Sequence, residues 1–424
     1  MHEVQVTTLP QHHQLTNAQV WSADGQSLVY DLRPAQHLFT SDRVEKINVV
    51  TGEVTELYRA SQGAHVGVIT AHPSNNDCYV CIHGPELPDE SWQYDVHHRR
   101  GVIITARQAE TLDACDITPP YTLGALRGGS HVHMFSHQGD RISFTYNDHV
   151  MRQRSLEEDQ RNIAVALPEE SVSIRDKGPR EHDGSHFCVV VSKTTLAPYP
   201  GSDQISRAFE EAWVGDNGYL NTSGQRQRWA LAFIGETVAV DGRKVPEVFI
   251  VDLPEAISDY KLAGENPIEG TTEALPAPPA VIKQRRLTFS EGVGVALQPR
   301  HWLRSSPDGS KIAFLMADSQ GVIQLWTISP NGGLPEPLTS GQYNVQSAFT
   351  WHPKGKGITF VYNNQIVIYD LEQRTLQPLT AWTSAAPCAE AVVWSPQGDK
   401  IAFMRDVDGF RQLFTVAVTE SYWC

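Results

Sequence analysis

Trp21-Ser-Ala-Asp-Gly25, Trp351-His-Pro-Lys-Gly355 and Trp394-Ser-Pro-Gln-Gly398 are copies of one short phrase, and Ala71-His-Pro-Ser-Asn75, Phe135-Ser-His-Gln-Gly139 and Ser305-Ser-Pro-Asp-Gly309 are three more. Pro and Gly in such a phrase supply the fixed and positive φ of a tight reversal. Most copies run into an alternating apolar segment such as Ile312-Ala-Phe314 or Ile401-Ala-Phe403, the period-2 signature of a strand. The anchors recur every 43 to 64 residues, close to one four-stranded propeller blade apiece, apart from the long gap between Phe135 and Ser305. That gap has room for one further, elaborated blade. The expected fold is all-β: a seven-bladed β-propeller, four antiparallel strands per blade.

The clearest units are the last three. His301-Trp-Leu-Arg304, Ile312-Ala-Phe-Leu315, Leu325-Trp-Thr-Ile328 and Glu336-Pro-Leu-Thr339 make one blade, and Trp351, Ile358-Thr-Phe-Val361, Ile366-Val-Ile-Tyr369 and Gln377-Pro-Leu-Thr380 the next. The last unit stops after Leu413-Phe-Thr-Val416, one strand short, and Val4-Gln-Val-Thr-Thr-Leu9 is the candidate that closes the ring and removes its open edge. The whole chain, 1–424, reads as one propeller. Blades one to three fall at about 15–60, 63–112 and 128–176, and an elaborated fourth blade at about 184–290. The latter would begin with His186-Phe-Cys-Val-Val-Val191 and carry a short helix at Ser206-Arg-Ala-Phe-Glu-Glu-Ala-Trp213.

Lys plus Arg number 34 against 49 Asp plus Glu, a net charge of −15. This argues against nucleic acid or an anionic membrane as partner, and leaves room for a short acidic ligand in a locally basic pocket. Met1-His-Glu-Val-Gln-Val6 has neither a basic nor an apolar leader region, which places the protein in the cytoplasm. Six scattered Cys form no disulfide framework, and Cys78 and Cys81 lie three apart in an apparent strand, facing opposite sides.

In a propeller the innermost strand of every blade lines a central channel, so equivalent positions can be compared. Ahead of the repeated turns stand Asn17, His65, His131, His186 and His301, with Asn344 or Gln346 in the sixth blade, and eleven of the seventeen His fall between residues 65 and 186. Loops at the same mouth add Tyr94-Asp-Val-His-His-Arg-Arg100 and Tyr146-Asn-Asp-His149. Imidazole is suited to proton transfer near neutral pH and to metal binding, so a divalent metal is a further candidate where three His converge. His72 and His352 occupy the Ser position of the repeated turn and are expected to be structural.

Gly63-Ala-His-Val-Gly67, His83-Gly-Pro-Glu86, His97-His-Arg-Arg-Gly-Val102, Arg127-Gly-Gly-Ser-His-Val-His133, Phe144-Thr-Tyr-Asn-Asp-His-Val150 and Gly201-Ser-Asp-Gln-Ile205 resemble the uncharacterised enterobacterial YidR-type propeller proteins, over nearly the whole length. More distantly the chain resembles the seven-bladed ulvan lyases of polysaccharide lyase family twenty-five, and its architecture is similar to that of oligogalacturonate lyase. The resemblance implies β-elimination on uronic-acid-containing glycans, with His/Tyr acid–base chemistry and Arg neutralising the carboxylate; the expected partner is a short acidic oligosaccharide. His131 and His149 fit positions where those lyases carry functional histidines, and either could be the base. Tyr146 is taken as the catalytic tyrosine, with Tyr94 and Tyr199 as alternatives. His65, Tyr94, Arg207, Arg300, His301 and His186 would bind substrate. The turn phrases also resemble the TolB propeller, which implies the rival reading of a non-catalytic scaffold for a protein partner.

Overall fold

The computed structural model describes residues 3–106 and 108–423. Among the described residues seven sheets form seven blades, all antiparallel, each with its first strand innermost, and inner strands of neighbouring blades touch between blades one, two and three and between blades four, five, six and seven. Blade one has Ser27–Asp31, Arg43–Asn48 and Val54–Arg59, with Trp21 bridged to Leu28 on the inner side. Blade two is Val66–Ala71, Cys78–His83, Arg100–Thr105 and Ala109–Thr111. Blade five is Arg304–Ser305, Ile312–Ala317, Ile323–Ile328 and Glu336–Pro337, and blade six Thr350–Trp351, Gly357–Tyr362, Gln365–Asp370 and Thr375–Pro378. Blade seven is Val392–Trp394, Lys400–Val407 and Phe410–Ala417, completed by the N-terminal strand Glu3–Gln5, which pairs Glu3 with Val416. The closing strand is fastened by the Arg405–Glu3 ion pair at 2.7 Å and by Thr7 Oγ1 donating to Gln412 Oε1 at 2.6 Å.

The repeated phrase is the same turn in its five glycine-bearing copies. Gly25, Gly139, Gly309, Gly355 and Gly398 donate their N–H to the carbonyl three residues back, at 2.8–2.9 Å, and all five have φ between +66° and +79°. Where Ser occupies the second position its hydroxyl reaches an Asp, as from Ser22 to Asp24 and from Ser306 to Asp308, both at 2.6 Å. His72 and His352 replace it by accepting from the N–H of Ser74 and Lys354 at 3.1 and 3.0 Å, which makes them structural, as their position predicts. The Trp of the phrase ties blade to blade: Trp21 Nε1 donates to Val393 O and Trp351 Nε1 to Arg304 O. The apolar core lies between blades, as where Val165 and Phe187 of blade three meet Leu231 and Phe249 of blade four. This is how repeats that cannot bury both faces alone are stabilised.

The third and fourth blades differ from expectation. His186–Val191 does not open blade four: Phe187–Val190 pairs with Asn162–Leu167 as the outer strand of blade three, whose other strands are Gly128–Phe135 and Ile142–Asp148. The predicted helix at Ser206–Trp213 is instead the inner strand of blade four, Ala208–Trp213, followed outward by Trp229–Val238, Lys244–Leu253 and Gln284–Arg286. Ala-Phe-Glu-Glu-Ala-Trp lacks alternation because the strand is buried on both faces and bulges at Glu210, which has φ +56° and a register shift between Phe209 and Ala212. No helix among the described residues is long and apolar enough to cross a membrane.

Candidate functional site

The repeated turns occupy one end of the channel; the opposite, upper mouth is formed by the segments leading into the inner strands and by the loops 84–99 of blade two and 149–161 of blade three. Below this mouth Trp302 plugs the channel, packed with Val68, Val132, Met134, Phe39 and Ile82. Gln19, Val68, Val132 and Glu210, one in each of blades one to four, all take positive φ, from +53° to +59°. A β-branched residue there costs on the order of 1–3 kcal/mol, and such strain gathers where function holds it.

His131, in the inner strand of blade three, is 3% exposed, and its Nδ1 has no hydrogen-bond partner among the described residues. Burial, and then the charges of Arg99, Arg161 and Arg300, hold its pKa well below that of free imidazole, so it is a neutral proton acceptor. Arg99 stacks over Tyr94 at 5.1 Å, but among the described residues neither it nor Arg161 makes an ion pair. Burial lowers the pKa of both guanidiniums, the sign of uncompensated charge. Arg33 nearby shows the contrast: Asp31 takes it bidentately at 2.7 and 3.0 Å.

Arg300 donates to Glu210 at 2.8 Å and lies over Trp302, and Arg207 donates to Glu236 at 2.9 Å. With Arg161 these two line a cleft of about 180 Å³. A second cleft of about 440 Å³ is lined by His65, Tyr94, Gln93 and Asp89. His65 Nδ1, Tyr94 Oη, Arg99 Nε and Trp302 Nε1 are, like His131 Nδ1, buried polar atoms with no partner among the described residues. So many around one opening is rare in a folded protein and marks a place where a polar ligand would complete them.

Of the residues expected here, His65, Tyr94, His131, Arg207 and Arg300 stand at this mouth. Three do not serve. Tyr146 is fully buried inside blade three, where its hydroxyl donates to Asp148 at 2.7 Å beside the buried Arg127–Asp148 pair; it is a structural residue, not a catalytic one. His186 flanks the outer strand of blade three, bridged to Asp113, because that strand is not innermost. His301 has both ring nitrogens occupied, Nδ1 on Pro299 O at 3.1 Å and Nε2 accepting from Leu315 N at 3.2 Å. Tyr199 is 72% exposed on the connection into blade four.

His149 enters at the same end of blade three as His131, since Asp148 pairs with Gly128, but its ring lies in a separate cluster. Its Nδ1 is 3.1 Å from His98 Nε2, Trp92 covers both rings, and burial followed by the neighbouring His98 and His97 pushes its pKa down to about 4. The metal considered from the His-rich rim finds no group of three or more His, Cys, Asp or Glu gathered to hold it among the described residues. Sequence reading missed Arg99, Arg161 and Trp302; the Arg99-Arg100 pair next to His97-His98 was the one visible signal for the first.

The lower mouth is a cavity of about 470 Å³ lined by the phrase itself, including Trp21, Pro307, Trp351 and Trp394. At its floor Glu211 is fully buried, accepts from Thr145 at 3.0 Å and has its pKa pushed up to about 7 by burial, with Arg304 as the counter-charge.

The fold and this site define a class: a seven-bladed propeller whose upper mouth is basic and carries a neutral histidine. Residues 65–182 match a family described as a protein of unknown function (DUF3748). The chain belongs to the family of the uncharacterized protein YidR of Escherichia coli (strain K12), to which it is 51% identical over 403 residues, 94% of each chain. Among solved structures it is similar in fold to oligogalacturonate lyase from Vibrio parahaemolyticus, at TM-score 0.58 and 10% identity, covering 99% of this chain and 94% of that one. An oligogalacturonate lyase in complex with manganese gives TM-score 0.58 at 11% identity, covering 100% and 94%. A puromycin hydrolase structure gives 0.54 at 11% identity, covering 94% of this chain and 50% of that one.

Proposed function

We propose that this protein is a lyase that takes short uronic-acid-containing oligosaccharides at the upper mouth and cleaves them by β-elimination. One observation carries the reading: two half-buried arginines, Arg99 and Arg161, make no ion pair among the described residues and stand beside the neutral His131. A uronate carboxylate set among Arg99, Arg161 and Arg300 supplies the missing charge, and its neutralisation acidifies the adjacent C5–H. The same anion cancels the repulsion that depresses His131, so the base gains proton affinity only once substrate is bound. His131 removes the C5 proton, the C–H electrons form the C4–C5 double bond, and the C4–O bond breaks. Tyr94, kept protonated as burial raises its pKa, gives its proton to the leaving oxygen. The likeness in fold to oligogalacturonate lyase supports the architecture of this reading. The test is ultraviolet absorbance of the unsaturated product across a panel of uronate oligosaccharides. Wild type should generate it and His131→Ala should not; equal traces from the two would end the proposal.

A further inference from the structure

The two unpaired arginines come from different blades, and one imidazole joins the loops that carry them. His97 is buried in loop 84–99 with its backbone N–H on Asp95 Oδ1 at 2.9 Å and its ring Nδ1 against the same carboxylate. Its Nε2 lies 2.8 Å from Asp159 Oδ2 in loop 149–161. Asp159 is in turn fixed to blade three, its Oδ1 accepting from Asn147 Nδ2 at 2.9 Å. Arg99 follows His97 by two residues, and Arg161 follows Asp159 by two.

The loop is pressed onto the inner strand of blade three at the same point. A Cβ on Gly129 would collide with Val96 O and the His97 backbone, and one on Gly128 with Asn147 O and His149 N. Gly129 thus lets the loop cross over the strand while Gly128 admits the neighbouring strand of its own blade, and Ser130 N donates to Arg99 O at 3.3 Å.

We infer that His97 is a positioning residue, an imidazolium clasp between Asp95 and Asp159 that ties the loop of blade two to that of blade three and so sets the spacing of Arg99 and Arg161. The chemistry requires the charged form. A neutral imidazole has one N–H, so one of the two carboxylates would face a bare nitrogen lone pair. The other titratable groups near the clasp are His98 and His149, both held neutral by burial, with Arg180 acting on His98 and Arg152 near Asp159. Burial works against charging His97, but the Asp159 and Asp95 carboxylates prevail and raise its pKa above 6.5. The sign follows: the clasp is fully present below the ordinary imidazole pKa and is lost as pH rises through the raised value.

The inference rests on the proposed anion site for its purpose but not for its test. Amide hydrogen exchange, corrected for intrinsic rate, is followed for residues 93–99 and 158–161 between pH 5.5 and pH 9 in wild type, His97→Gln and Asp159→Asn. Affinity for trigalacturonate is measured alongside, and amides of the blade-seven strand Lys400–Val407 report on the overall fold. In wild type, protection of both segments should fall about tenfold with rising pH, in one step shared by the two loops. Both variants should be unprotected already at the lowest pH, without the step, while blade seven is unchanged. A flat wild-type profile, or a His97→Gln protein that keeps the step, overturns the clasp. If the step is present but trigalacturonate binds at no pH, the clasp stands and the proposed substrate falls. If trigalacturonate binds equally tightly across the step, the loops are clasped but the arginines are not positioned by it, which also overturns the inference.

Discussion

The two ends of the channel are built from the same seven inner strands, yet they differ in kind. At the lower mouth the tight turns repeat, the Trp21 and Trp351 indoles donate to neighbouring carbonyls, and Glu211 and Arg304 offset one another in charge, while Trp394 Nε1, Glu211 Oε1 and Arg304 Nε have no hydrogen-bond partner among the described residues. At the upper mouth the connections differ in every blade, and Arg99, Arg161 and His131 are left with charge or polar atoms unmet. A turn of five residues dictates its own geometry, so repetition there yields scaffold. Long connections are free to vary, and in them a charge can be buried ahead of the ligand that offsets it.

Mutation should separate the two ends. The largest effect is expected from His131→Ala, a loss of about 10²- to 10⁴-fold in kcat on a cleaved uronate oligosaccharide with little change in Tm. Next, Arg127→Met removes the partner of a buried carboxylate and should destabilise the protein by about 3–5 kcal/mol, read by denaturant unfolding. Asp148 also accepts from the Tyr146 hydroxyl and the Met151 N–H, so Tyr146→Phe should cost a smaller amount, about 1–3 kcal/mol, without moving the pH profile of activity.

Arg161→Ala should weaken uronate binding by about 10- to 100-fold, the worth of one charge-assisted contact. At the other mouth Glu211→Gln should leave uronate binding unchanged. Because the folded pKa of Glu211 is about 7 against 4.5 unfolded, wild-type stability should fall as pH rises from 4.5 to 7 and then level off, by on the order of 3 kcal/mol. Glu211→Gln should lack that fall in a pH series of unfolding curves.

What could be read from the chain alone follows the same division. The turn phrases marked the blades because Ser, Pro, Asp and Gly act within five residues, and ring closure was legible because the last unit stops one strand short while the segment 4–9 supplies a strand. Blade equivalence also placed His131 and His65 at one mouth of the channel, where both stand. It failed at His186 because the connection before that residue departs from the pattern of the other blades, and at the Ser206–Trp213 segment because a bulged, doubly buried strand has no alternation to see. His301 looked free because the groups that occupy it, Pro299 O and Leu315 N, are backbone atoms that no side-chain pattern reveals. Arg99 and Arg161 are separated in sequence and meet only through the His97–Asp159 contact, so nothing in their local spacing announced them.

The most direct test of the upper mouth as the ligand site is a crystal structure with trigalacturonate bound. The expected result is density over His131, with uronate carboxylates against Arg99, Arg161 and Arg300 and the Glu211 cavity free of sugar. Sugar seated among Trp21, Trp351 and Trp394 at the lower mouth, with Arg99 and Arg161 untouched, would contradict it.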